Sequence, residues 1–589
     1  MSPKLRRFLV QYGMLFACLA VLAVFLLLPI GLTVWGGLVK EVPVGNDEVR
    51  TVFTFDHIAL VFENPLYREG LINSFWIACA TTTLCVLISL PLALISARYK
   101  FPFKGLWNAV ILVPLILPPF VGAIGMRAIL GREGMMNALF GTDFDVLGKG
   151  RVWGVILVEA LHLYPIIYLN ATASLANLDP ALDEAAENLG AGPIRRFFKI
   201  VLPLIRPGLF AGGTIVFIWS FTELGTPLMF EYSRVTPVQI FHGLKEIQSS
   251  AEPYALTVVL LASAILWYVL GKLVFGRKGY AMYSKASRAA SEFKLPWWGS
   301  VIATLLFAGV TFAAILPHIG VVLTSISPTW GWYGTVLPES FTFDHYETAL
   351  SDPVSSTSVR NSLILSIMAV IGSVFMGLVA AYIIVRTKVK GRGLLDAMCM
   401  LPLAVPGLVM AFGYFAMTLQ GPLPALAGWL TDVGLGGFAR FFQVVGEDPN
   451  PFLILAVAYG IRRLPYMVRA TVAGLEQTSG ELEEAAVNLG AGRVEAFRKV
   501  VLPLVLGNVI AGGLLVFSFS MLEVSDSLIL AQQGKHFPIT KAIYELWNRL
   551  GDGAFVASAM GVWGMALLGV TLVGSSILMG KKFGSIFRA

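Results

Sequence analysis

Charge is scarce in this sequence. Asp, Glu, Lys and Arg make up 13% of its 589 residues, where an average soluble domain has roughly 25%. So few charges cannot cover the surface of several soluble domains, and disordered or collagen-like chains are excluded as well. Cysteine is also scarce. Cys18, Cys79, Cys85 and Cys399 all lie in apolar stretches with no C-x-x-C pair. That argues against a disulfide scaffold or a zinc site and leaves small apolar fillers. The sequence has no G-x-x-x-x-G-K-[ST] loop, no nucleophile elbow, no H-E-x-x-H and no Cys/His cluster. No nucleotide, hydrolytic or metal site is therefore expected on this chain, and no cofactor.

Apolar residues are abundant. Hydrophobic residues make up 56% of the chain, and the mean hydropathy is +0.75. A bilayer core requires about 20 apolar residues per helix. Twelve stretches qualify: 10–36, 70–97, 106–130, 152–176, 207–230 and 254–276, then 298–325, 360–386, 394–418, 452–476, 507–531 and 554–580. The expected fold is an all-α integral membrane protein of about twelve transmembrane helices. The first run follows Lys4, Arg6 and Arg7 and is longer than a signal-peptide core, so it reads as an uncleaved first span.

The net charge of +7 would suggest nucleic acid in a soluble protein, but here the bases alternate with the spans. One set of connections holds Arg98-Lys100-Lys104, Arg195-Arg196-Lys199, Arg277-Lys278-Lys285-Arg288, Arg386-Lys388-Lys390-Arg392, Arg493-Arg498-Lys499 and Lys581-Lys582-Arg588. The alternate set is poorer in bases and holds acids such as Glu41, Asp47, Asp143, Asp432 and Asp448. The positive-inside rule makes the basic side cytoplasmic, with both termini on it. No nucleic-acid partner is expected.

The chain is internally duplicated. Phe53-Thr54-Phe55-Asp56-His57 returns as Phe341-Thr342-Phe343-Asp344-His345, Asn73-Ser74 as Asn361-Ser362, and Arg98 as Arg386, all at an offset of 288. Later matches shift to 300, which places extra residues in an external loop near 420–450. Two six-span halves that both start inside form a parallel repeat, with a pseudo-two-fold axis expected along the membrane normal. The expected division is a first module at 1–276, a basic cytoplasmic linker at 277–297 and a second module at 298–589. His57 and His345, single histidines in matching loops, read as turn residues.

The strongest signal lies between spans four and five of each half. One copy reads Leu182-Asp183-Glu184-Ala185-Ala186-Glu187-Asn188-Leu189-Gly190-Ala191-Gly192, then Ile200-Val201-Leu202-Pro203. The other reads Leu482-Glu483-Glu484-Ala485-Ala486-Val487-Asn488-Leu489-Gly490-Ala491-Gly492, then Val500-Val501-Leu502-Pro503. The spacing predicts a short helix, a glycine turn and a second helix. Asp179 before Pro180 suits an N-cap, and Thr478 with Glu481 has capping-box spacing. Leu182, Ala185, Ala186 and Leu189 form one apolar stripe, as do Leu482, Ala485, Ala486 and Leu489. Gly190 and Gly490 supply left-handed turn positions. Pro203 and Pro503 are expected to end the second helix before the next span.

E-A-A, three residues, G, nine residues, I-x-L-P resembles the EAA loop of binding-protein-dependent ABC importer permeases. Val500 replaces the isoleucine in the second copy. The resemblance extends over essentially the whole chain. Two modules fused in one chain look most like the ferric-iron, thiamine and aminoalkylphosphonate group, and ferric iron leads. The resemblance implies the type I importer permease fold in a bacterial inner membrane, with EAA loops at 178–207 and 478–507. It also implies two copies of a cytoplasmic ATPase and a periplasmic binding protein as partners. Glu184, Ala185, Ala186 and Gly190, with Glu484, Ala485, Ala486 and Gly490, are then the residues coupling to the ATPase. The chain itself would be a transport subunit, not an enzyme. The rival class is a secondary transporter of six plus six spans, which has no need of an EAA hairpin in each half.

Charges within spans are costly and default to functional candidates. They are Glu159, His162, Glu223, Arg462, Arg463, Glu523 and Asp526. Glu223 and Glu523 are repeat equivalents in spans expected to face each other. The translocation-pathway candidates are Glu223, Glu523, Asp526, Glu159 and Arg463. Facing acids would favour a cationic solute, or would pair with Arg462 or Arg463. Pro114, Pro118, Pro119, Pro402 and Pro406 are expected to break spans three and nine.

Overall fold

A computed structural model of the chain describes residues 3–43, 49–116, 118–148, 151–176, 178, 180–244, 250–275, 293–446 and 448–579. Asp47, Asp179, most of the linker 277–297 with Arg277, Lys278, Lys285 and Arg288, and Lys581, Lys582 and Arg588 lie outside these. Among the described residues, nine helices are long and apolar enough to cross a membrane, and up to eleven if each of two bent pairs is one span. The stretch at 452–476 is also a helix, Phe452–Gln477. Arg462, Arg463 and Arg469 lie inside it rather than at its ends.

The two bends fall where the prolines predict them. Lys104–Leu115 meets Pro119–Phe140 at 94°, and Arg392–Ala404 meets Gly407–Asp432 at 103°. Pro118, which precedes Pro119, has ψ 126°, and Val405, which precedes Pro406, has ψ 128°. A residue before proline is pushed out of the helical region by the ring, so the helix stops and restarts in a new direction.

The described residues gather into two compact units that do not follow the sequence halves. One comprises Met1–Asn64, Ile240–Leu261 and Asp344–Ile586; the other comprises Pro65–Gln239 and Ala262–Phe343. The span Leu9–Leu38 thus packs with second-half helices, and Trp297–Ile326 with first-half helices. Equivalent residues make the same close approach in each unit. A Cβ on Gly125 would lie 1.8 Å from the carbonyl oxygen of Pro317, and one on Gly413 would lie 2.7 Å from that of Pro29. Both pairs differ by 288 in number, and small residues let membrane helices approach this closely. Pro29 has no N–H to offer the carbonyl four residues earlier; Tyr414 Oη donates to that oxygen, on Phe25, at 2.5 Å.

Within each unit, spans two and four (or eight and ten) pack along their length. Cys85 Sγ donates to Ala160 O at 3.4 Å, and Ser373 Oγ, its repeat equivalent, donates to Gly460 O at 3.1 Å. Cys18, Cys85 and Cys399 are buried and all four cysteines are free. The N-S pairs tie the connection after spans five and eleven to the start of spans two and eight. Asn73 Nδ2 donates to Arg234 O at 2.9 Å, and Ser74 Oγ accepts from Thr236 N at 3.1 Å. Asn361 Nδ2 donates to Lys535 O and Phe537 O, and Ser362 Oγ accepts from Ile539 N at 2.8 Å.

The F-T-F-D-H segments are helix entries, at Asp56–Glu63 and Asp344–Ser351. His345 is buried with its ring stacked 5.2 Å from Phe555. Not all of the chain is helical. Val39–Pro43 pairs antiparallel with Val49–Phe53, and Tyr99–Lys100 pairs parallel with Phe293–Lys294. The extra loop near 420–450 contains a helix, Pro422–Asp432, and is tied down by Asp448. Asp448 accepts from Arg440 Nη1 at 3.2 Å and Lys535 Nζ at 2.5 Å.

Candidate functional site

The two motif copies fold as matching hairpins. The first helix is Pro180–Asn188 in one and Gly480–Asn488 in the other. Gly190 and Gly490 turn the chain with φ +81° and +96°, a region that disfavours any L side chain. Ala191 N donates to Ala186 O at 3.0 Å and Ala491 N to Ala486 O at 3.1 Å, which closes carbonyls at each helix C-terminus. Glu184, Ala185, Glu484 and Ala485 are exposed, while Ala186 and Ala486 are half-buried. The apolar stripe stays uncovered among the described residues: Leu189 is 88% exposed and Leu489 89%, with Ile194 and Val494 exposed beside them.

Two local expectations are corrected. The N-cap of the second copy is Ser479, whose Oγ accepts from Glu481 N at 3.2 Å. Thr478 Oγ1 instead donates to Leu475 O and accepts from Arg386 Nη2 at 2.8 Å. Pro203 and Pro503 do not end the second helix. A π-turn at Phe197–Val201 and Phe497–Val501 precedes each, and the proline sits in the first turn of Leu202–Phe221 or Leu502–Met521. The changed hydrogen-bond register of the π-turn accommodates a residue without an N–H.

Each hairpin is anchored by a residue pair that sequence reading missed. Asp183 lies 3.4 Å from Arg98 Nη2 and 3.7 Å from Arg196 Nη1, which also contacts Glu187 at 2.7 Å. Glu483, its equivalent, accepts from Tyr382 Oη at 2.7 Å and lies 4.0 Å from Arg386 Nε. Arg386 Nη2 also donates to Thr478 O at 2.7 Å. The acid preceding E-A-A thus fastens the hairpin to the end of span two or eight. Both partners recur in the repeat, and that was the available signal.

The intramembrane charges fall into two unlike groups. In the second half, Arg462 Nη1 and Arg463 Nη2 both donate to the Glu523 carboxylate, and Arg462 also meets Asp526 Oδ2 at 3.1 Å. Glu523 is 4% exposed and Asp526 fully buried. Two cations and two anions make the cluster neutral. In the first half, Tyr459 is replaced by Glu159, Arg462 by His162 and Arg463 by Leu163, at the offset of 300. Glu159 is buried and accepts from Ser220 Oγ through one oxygen. His162 Nδ1 donates to Pro114 O at 2.8 Å, at the broken third span.

Glu223 and Glu523 sit just beyond the helices Leu202–Phe221 and Leu502–Met521, where the apolar sequence runs on but the helix stops. Glu223 Oε1 accepts from Gly225 N at 3.1 Å and Thr226 N at 3.3 Å, at the start of Gly225–Met229. A further charged cluster was not anticipated. Arg127 and Arg151 grip Glu231 at 2.9 and 2.8 Å, beside a cavity of about 690 Å³.

The chain is 25% identical to the ferric transport system permease protein FbpB of Actinobacillus pleuropneumoniae, over 87% of this chain and 70% of that protein. It is 24% identical to the Fe(3+)-transport system permease protein FbpB 2 of Haemophilus influenzae, over 89% of this chain and 92% of that protein. It is 33% identical to the molybdenum transport system permease protein ModB of Escherichia coli K12, over 25% of this chain and 67% of that protein. Residues 89–275 and 373–577 each match one family, described as binding-protein-dependent transport system inner membrane component. Each match includes one hairpin and the spans on either side of it, and on that ground the chain belongs to the family of binding-protein-dependent transport system inner membrane components.

Proposed function

We propose that the chain is the fused permease subunit of an ATP-driven ferric-iron importer. The observation that carries the reading is the similarity to permeases named for ferric transport over nearly nine-tenths of the chain, through both modules. As a family member the chain is a multi-pass inner-membrane transport subunit, and it works with a binding protein and an ATPase. In the proposed arrangement each hairpin seats one copy of the ATPase, with the nucleotide held there. The exposed Leu182, Leu189 and Ile194, and Leu482, Leu489 and Val494, form the apolar contact. Glu184 and Glu484 meet bases on the ATPase, while Ala185, Ala186, Ala485 and Ala486 let its backbone come close. Gly190 and Gly490 hold the turn. The hairpins and both termini face the cytoplasm.

Closure of the ATPase moves each hairpin, and the Asp183 and Glu483 anchors pass that motion to spans two and eight. Of the pathway candidates, Glu159 and Glu223 meet the cationic solute. Glu523, Asp526 and Arg463 form, together with Arg462, a self-neutralised cluster that shapes the wall beside the path. The test is uptake of radiolabelled ferric iron by proteoliposomes holding the chain, its ATPase and the iron-loaded binding protein. Uptake that needs internal ATP and is not displaced by thiamine or an aminoalkylphosphonate is expected. ATP-dependent uptake of either of those, with none of iron, would refute the iron assignment.

A further inference from the structure

The helix Leu502–Met521 rises about 30 Å, the depth of a hydrocarbon core, so the helix Ile539–Trp547 that follows lies toward the membrane face opposite the hairpins. Its Lys541 is only 6% exposed. A lysine near a membrane face ordinarily carries its ammonium out to water. This one is turned into a cage instead. Its Nζ lies 5.6 Å from the ring centre of Phe241, 5.5 Å from that of Phe537 and 5.5 Å from that of Tyr544, and 2.9 Å from Glu545 Oε1. It also stands in the first turn of its helix, where the helix dipole disfavours a cation. The rings and the carboxylate offset those costs.

The cage joins the two halves of the sequence. Thr236 N donates to Ser74 Oγ and Ile539 N to Ser362 Oγ. Ser74 and Ser362 are repeat equivalents, so Thr236 and Ile539 are too. Counting on from them, Val238 corresponds to Lys541, Phe241 to Tyr544 and His242 to Glu545. Phe241 and Tyr544 belong to one compact unit and meet edge to face, with ring centres 5.8 Å apart. In a parallel repeat, equivalent residues touch each other only near the pseudo-two-fold axis, which is where a path shared by the halves runs. Beside the contact is a cavity of about 520 Å³, whose wall includes Phe241, Lys541, Tyr544 and Glu545 with Gln532 and Asn548. The equivalent position in the first half is the apolar Val238, so the helix itself needs no lysine there. The buried charge serves the contact.

We propose that Phe241 and Tyr544 close the translocation path at this face and that Lys541 is the latch. Its ammonium draws the three rings and Glu545 together. Without it, the rings of Phe241 and Tyr544 keep only their mutual contact, and the path opens into the cavity. The inference rests on the transport role of the family and not on the ferric-iron assignment.

The test uses proteoliposomes holding the full chain and its ATPase, loaded with potassium, without ATP or binding protein. An external electrode reads potassium efflux, compared among variants that co-purify with the ATPase as monodisperse complexes. The wild type should be tight. A desolvated cation over an aromatic ring contributes about 2 kcal/mol, a shift of roughly thirtyfold between closed and open. Lys541→Met fills a similar volume without the charge and should raise efflux by roughly that factor. Lys541→Arg keeps a cation over the rings and should stay tight. Lys541→Ala should leak, and propylammonium, which returns a cation to the emptied cage, should reduce the leak where propanol does not. A Lys541→Met chain as tight as the wild type, or a Lys541→Ala leak that propanol relieves as well as propylammonium, overturns the proposal. The efflux is read without iron, so either result leaves the solute assignment where it stands.

Discussion

Glu523 and Glu159 are both buried acids within the membrane region, yet their neighbours predict opposite consequences of losing the charge. Glu523→Gln removes one of the two anions that balance Arg462 and Arg463, so the buried cluster moves from neutral to one net positive charge. Breaking a buried ion pair from one side costs about 3–5 kcal/mol. Glutamine keeps an acceptor oxygen for one guanidinium, which places this change near the lower end, about 3 kcal/mol. Glu159→Gln keeps an acceptor for Ser220 Oγ and should cost about 1 kcal/mol or less. The assay is the fraction of a fluorescent-tagged chain that remains monodisperse after heating in detergent. Glu523→Gln should lose the folded peak at clearly lower temperature, while Glu159→Gln should track the wild type but transport poorly. Adding Arg463→Leu to Glu523→Gln restores neutrality through the remaining Arg462–Asp526 contact at 3.1 Å and should recover part of the loss. A Glu523→Gln chain as heat-stable as the wild type would refute this reasoning and return Glu523 to the solute path.

Gly190→Val and Gly490→Val meet open space but force a left-handed φ on a β-branched residue, at about 1–2 kcal/mol each; membrane insertion should be normal and ATPase co-purification reduced. Normal co-purification would show that the turn does not set the docking geometry. Glu484→Lys should weaken ATPase binding without lowering the amount of chain in the membrane, as measured by pull-down from solubilised membranes. The double variant Asp183→Asn, Glu483→Gln should leave the ATPase bound but uncouple hydrolysis from uptake, read as the ratio of phosphate released to solute imported; an unchanged ratio would exclude the anchors from coupling. In the loop near 420–450, bonds from Lys535 and Arg440 hold the Asp448 carboxyl below its ordinary 3.8. A depressed carboxylate stabilises above its unfolded value and loses that contribution as pH falls through the folded one. Protection of the amides near Asp448, taken relative to their intrinsic exchange rate at each pH, should therefore fall below about pH 4 and stay constant from pH 5 to 8.

The parts that could be read from sequence were those with a local cause. Pro119 and Pro406 broke their spans because the ring constrains the residue before it. The hairpins followed from an apolar stripe and from glycine at the one position needing positive φ. The ends of spans five and eleven were not legible: Phe221 and Met521 stop their helices inside apolar runs, and composition does not change there. Pro203 and Pro503 misled for a related reason, since a π-turn upstream removes the conflict a proline normally creates. The grouping of the first span with second-half helices left no periodic trace; its marks were single residues, Gly125 with Pro317 and Gly413 with Pro29. The anchors Arg98–Asp183 and Arg386–Glu483 depend on contacts between residues 85 and 97 positions apart, beyond any helical period. Each of these features nonetheless occurs twice. In a duplicated chain, a charged or small residue kept at the same offset in both halves marks either a tertiary contact or a shared surface, while one that differs marks where the two halves are built differently. By that criterion Asp183 with Glu483 belongs to machinery the two halves share. Glu159 against Tyr459, and His162 against Arg462, are where the halves differ.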